Sequence, residues 1–132
     1  MGSWGTGIFQ NDVSEEVRTD YRNKLKLGKS DEEALKELLD DSQEYVKEDD
    51  DRYDFWFALS SVMYDLGRLT NEVKNTALEL IADGGDLMRW SDNKGNQKKR
   101  VLQLENLKLK LLSEQPERKK IKLAQKFICP WN

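Results

Sequence analysis

The stretch from Tyr53 to Leu66, YDFWFALSSVMYDL, constrains the fold more than any other part of the chain. Placed on a helix at about 100° per residue, Phe55, Trp56, Leu59, Val62, Met63 and Leu66 fall within an arc of roughly 120°. Tyr53, Phe57 and Tyr64 form a second arc beside it. A helix apolar over so much of its circumference must be surrounded on several sides. The expected architecture is therefore all-α, a compact bundle of about five to six helices packed around this central one.

The flanking segments supply the surrounding helices. Asp12 to Leu27 carries Val13, Val17, Tyr21 and Leu25 as one apolar stripe, with Asp12 and Glu15 as a capping pair and Gly28 as a left-handed stop. Ser30 and Glu33 form a capping box ahead of Ala34, Leu35, Leu38, Leu39 and Val46. The run KEDDDR, Lys47 to Arg52, reads as a solvated connection before the central helix, which Gly67 closes. Thr70 caps the next helix, with Val73, Ala77, Leu80 and Ile81, and Gly84-Gly85 ends it. Asp86 is expected to cap a short turn, and SDNKGN, Ser91 to Asn96, to be a loop. Gln97 to Leu112 reads as the last long helix because it is rich in Leu, Lys and Gln, and Pro116 stops it. Residues 1–115 thus form one helical domain with an irregular Gly-rich N-terminal arm, and 116–132 an extended basic C-terminal tail.

The distribution of charge is more informative than its total. Residues 1–92 hold 22 Asp/Glu and 11 Lys/Arg, whereas residues 93–132 hold 3 and 11, giving −11 and +8 and the overall −3. The chain has no histidine, which removes the commonest general base and metal ligand, and the single Cys129 excludes an internal disulfide and suits a reducing compartment. No catalytic set, no metal site and no cofactor is expected. No apolar run approaches the roughly 20 residues of a membrane span and no signal peptide opens the chain, so a cytoplasmic protein with no membrane partner is expected.

The motifs WGTGIFQND, FWFAL, LGRLTNEVKNTALELI, DLMRW and LLSEQPERKK running to CPW follow one another in this order. Together they resemble an uncharacterised family of small bacterial proteins, a domain of unknown function whose members open with Trp-Gly-x-Gly-x-Phe-x-Asn/Asp-Asp. The resemblance implies a bacterial or phage source and a cytoplasmic protein, and supplies no reaction. Trp4, Gly5, Gly7, Phe9 and Asp12 are the positions that carry it. Some longer relatives continue into a β-rich segment, so the chain reads as a short member or as the helical part of a larger one.

Two charged regions are the candidate sites. Asp49, Asp50, Asp51 and Asp54, with Tyr53 as an aromatic anchor, form a candidate acidic patch for binding another protein, in the manner of an immunity protein or inhibitor. Lys98, Lys99, Arg100, Arg118, Lys119, Lys120, Lys122 and Lys126 form a basic alternative. That region lies over the acidic helices of its own chain, meets an acidic protein, a nucleic acid or a nucleic-acid-processing complex, or is plainly solvated. A homo-oligomer also remains open.

Overall fold

The computed structural model describes residues 7–48 and 50–123. Trp4, Gly5, Asp49, Lys126 and Cys129 lie outside the described residues. Among the described residues there are seven helices and no strand: α1 (Asp12–Lys26), α2 (Asp31–Asp41), α3 (Gln43–Lys47), α4 (Asp51–Asp65), α5 (Asn71–Asp83), α6 (Gly85–Met88) and α7 (Lys94–Leu112). Among the described residues, no helix is long and apolar enough to cross a membrane.

The central position of α4 follows from its two faces. Phe55 and Phe57 stand two residues apart, on nearly opposite sides of the helix, and both are fully buried. Phe55, Ala58, Leu59, Val62 and Met63 pack with Val17, Tyr21 and Leu25 of α1 and Ala34 and Leu38 of α2. Tyr53 and Phe57 pack instead with Ala77 of α5 and Leu104, Leu107 and Leu111 of α7. Burying each large apolar side chain contributes roughly 1.5–3 kcal/mol, so two clusters meeting on one helix account for the bundle.

Local signals set most helix ends. Ser30 accepts a hydrogen bond from the Glu33 N–H at 3.1 Å while Glu33 accepts one from the Ser30 N–H at 3.0 Å, completing the box. Thr70 accepts from the Val73 N–H at 3.3 Å. Gly28, Gly67 and Gly84 all have positive φ.

Several expectations are corrected. The cap of α1 is Asn11, whose side chain accepts from the Ser14 N–H at 2.8 Å, so Asp12 is the first helical residue. The second helix breaks at the buried Ser42, leaving Val46 on a separate α3. α4 begins at Asp51, inside the acidic run, where Asp51 and Asp54 face the positive end of the helix dipole. α7 begins at Lys94, because Asn93 accepts from the Asn96 N–H at 3.0 Å and draws part of the expected loop into the helix. Asp86 does not cap; its carboxylate turns inward.

After α7 the chain runs back across the bundle as a strap. The Lys119 N–H donates to the Leu66 carbonyl at 2.9 Å, and Arg68 donates to the Lys119 carbonyl at 2.7 Å. The Leu69 N–H donates to the Gln115 side chain at 2.7 Å, and Arg118 reaches Asp31 at 2.9 Å. Ile121 packs on the first core cluster. This part of the basic tail therefore lies over its own helices.

Tyr21 lies fully buried in that cluster, and its hydroxyl has no hydrogen-bond partner among the described residues. Burial, followed by the charge of Asp31, pushes the phenol up to about 12, against the opposing pull of Arg68 and Arg118. The folded state thus keeps a proton that the unfolded chain releases near its ordinary value of 10.0, so this contribution to stability is present below that pH and lost as pH rises towards 12. Tyr21→Phe is expected to stabilise the fold by about 1 kcal/mol, since an unpaired buried hydroxyl is removed. It should also flatten the stability loss between those pH values. Urea unfolding at neutral and alkaline pH checks both.

Candidate protein-binding interface

The structure divides the predicted acidic patch. Asp50 is exposed and Asp51 half-buried at the start of α4, whereas Asp54 and Tyr53 are only 4% and 5% exposed. Neither of those two can serve as a surface contact, which corrects that part of the expectation. The Tyr53 hydroxyl donates to the Asp83 carboxylate at 3.1 Å. Gly85 allows this, because a Cβ there would lie 2.0 Å from the Tyr53 oxygen.

Asp54 belongs to a buried ionic cluster. Arg89 grips its carboxylate with two bonds of 2.9 Å, and Arg100 approaches it at 3.4 Å. Arg100 also donates to Asp86 through Nε at 2.7 Å and through its terminal nitrogen at 3.2 Å, and Arg89 pairs with Asp86 as well. Two carboxylates and two guanidiniums make the group neutral. Burial works against the charge on Arg89, but the hydrogen bonds and charge of Asp54, with those of Asp86, outweigh it and hold the guanidinium above its ordinary range. Phe57 and Trp90 flank Arg100, whose guanidinium lies 5.7 Å and 5.8 Å from their ring centres. The cluster joins α4, α6 and α7.

Arg100 is therefore corrected from a basic-patch residue to a core residue, 1% exposed. Arg118 is engaged with Asp31. Lys98, Lys99, Lys119, Lys120 and Lys122 keep exposed side chains. Of the opening signature, the Gly7 carbonyl accepts from Arg100 at 3.4 Å, and Phe9 packs on the core beneath the Arg18 guanidinium, 4.7 Å from its ring centre.

The exposed acidic surface lies elsewhere. Asp12, Glu15, Glu16, Thr19 and Asp20 of α1 and Tyr45 of α3 line an open groove of about 610 Å³. The Tyr45 hydroxyl donates to the Glu16 carboxylate. That bond, followed by burial and the charges of Glu16, Asp51 and Asp20, pushes the phenol up to about 12. The Asp20 carboxyl is raised by burial and then by Glu16 and Asp41, with Lys24 pulling it down. Asp51 is raised by burial and then by Asp54 and Asp50. These shifts mark a surface where negative charge is crowded, and where protons return earlier than usual as pH falls. Among the described residues, no group of three or more carboxylates converges closely enough to hold a metal ion.

The sequence carried signals for both features. Asp12, Glu16 and Asp20 recur at four-residue spacing beside the apolar stripe of α1, and Arg100 occupies the register continued by Leu104, Leu107 and Leu111. Comparison of the chain with protein-family models, with curated proteins and with solved structures finds no match in any of the three.

Proposed function

We propose that the protein is a non-catalytic protein-binding module, of immunity or inhibitor type, which captures a cationic partner on the acidic face of α1 and α3. The observation that carries this reading is the crowding of Asp12, Glu15, Glu16 and Asp20 around Tyr45, with Asp51 within electrostatic reach. Such a surface speeds encounter with a basic partner and selects against acidic ones, and Tyr45 offers a rigid aromatic contact at its edge. The acidic excess of residues 1–92 supports the same reading. A cytoplasmic setting and kinship with the small bacterial family that the opening motif resembles are part of the proposal. The nucleic-acid alternative is weakened because Arg100 and Arg118 are engaged by carboxylates of their own chain.

The test is affinity capture from the source cells with the wild-type chain and with Glu16→Lys/Asp20→Lys as baits. The wild type is expected to retain a basic protein that salt releases, and the reversed variant to lose about tenfold or more in affinity for it. Equal recovery on both baits would remove the groove from consideration.

A further inference from the structure

The first two turns of α7 carry cations and no acidic residue. Lys94 opens the helix, Lys98 and Lys99 follow, and the first turn contains no acidic residue. The positive end of the helix repels the Lys94 ammonium, and Lys98 and Lys99, one turn further on, have no acidic residue three or four positions away. All three are exposed, and none forms an ion pair among the described residues. Leu102 and Leu109 continue the same outward face, 59% and 65% exposed. α7 uses Arg100, Leu104, Leu107 and Leu111 to pack inward, which leaves this face uncovered.

The complementary surface is on the same molecule. Asp12, Glu16 and Asp20 of α1 are exposed, and none is in an ion pair among the described residues. Asp12, Glu16 and Asp20, like Lys94, Lys98 and Leu102, stand at four-residue steps, and each row is about 12 Å long. α1 and α7 each pack on α4 with no substantial contact between them, so one molecule does not bring its own two rows together.

We propose that the outward face of α7 docks in the acidic α1–α3 groove of a second copy, with Lys94 and Lys98, flanked by Lys99, against the row of Asp12, Glu16 and Asp20. Leu102 is covered by the groove wall beside Tyr45. The contact is head to tail, so its repetition builds rings or filaments. Pairing α7 with α7 is disfavoured, because it brings like charges together. The proposal rests on the reading of the groove as a docking face and names its occupant when no other basic partner is present.

Sedimentation velocity on the full chain tests it, with folding of each variant checked by circular dichroism. The wild type is expected to associate at low salt, with an association constant falling about tenfold or more as salt rises through the physiological range, down to the 15.4 kDa single chain. Lys98→Glu/Lys99→Glu and Glu16→Lys/Asp20→Lys should each be monomeric alone. Mixed together they should associate again, since each supplies the charge the other lost. A wild-type monomer at low salt, association that survives in the variants, or a mixture that stays monomeric overturns the proposal. Titration with an oligolysine peptide separates the two readings. A monomer whose groove still binds oligolysine, less so after Glu16→Lys/Asp20→Lys, removes only the self-docking; no binding of either kind removes both.

Discussion

Arg100→Ala is expected to lower folding stability by about 3–5 kcal/mol, the largest effect of any single substitution considered for this chain. The side chain is 1% exposed and satisfies Asp86, itself 1% exposed, through two hydrogen bonds. Its removal leaves Asp54 and Asp86 sharing one guanidinium, with a net buried negative charge and a void between Phe57 and Trp90. For a domain of this size that loss is a large fraction of the total stability. Arg100→Met combined with Asp86→Leu should cost far less than the single change, because no uncompensated charge remains. Urea unfolding of the two variants decides the matter: equal losses would mean that the particular hydrogen bonds of Arg100, and neither charge balance nor side-chain volume, make it necessary.

Gly67→Ala is expected to cost roughly 2–4 kcal/mol and to loosen the strap. Gly67 has φ +70°, and a Cβ there would lie 2.7 Å from the Arg118 backbone and from the Glu117 carbonyl. Gly84 gives the matched comparison, with φ +73° and nothing within 4 Å of an added Cβ. Gly84→Ala should therefore show only the left-handed backbone cost of about 1–2 kcal/mol. The excess at Gly67 measures the contacts of residues 114–121. Hydrogen exchange locates it, since the Lys119 amide bonds the Leu66 carbonyl and should lose protection in Gly67→Ala alone. If the two alanine variants match in stability and in exchange at Lys119, the strap holds nothing.

The fold was legible wherever its cause was local. Ser30 and Thr70 start helices, and Gly28, Gly67 and Gly84 stop them, through atoms within a few residues, so composition and spacing suffice to find them. The break at Ser42 has no such marker: no glycine or proline stands there, and the apolar pattern runs on to Val46. The start of α7 was hidden because Lys-Gly-Asn is a loop composition, and only the Asn93 cap makes it helical. The candidate site was less legible for a different reason. Acids occur throughout the first 92 residues, and only the placement of α3 beside α1 sets Glu16 against Tyr45. Charge alone groups Arg100 with Lys98 and Lys99, although its helical register is that of a core leucine.

The sharing of α4 between two clusters has a consequence for how the molecule comes apart. Phe55 anchors one cluster and Phe57 the other, on a single rod of backbone, so neither side keeps a wall when that rod unwinds. Damage near α7 is thereby felt at α2, and melting is one cooperative event in place of two. A chain with so modest an apolar content remains stable by letting one segment close both of its interiors.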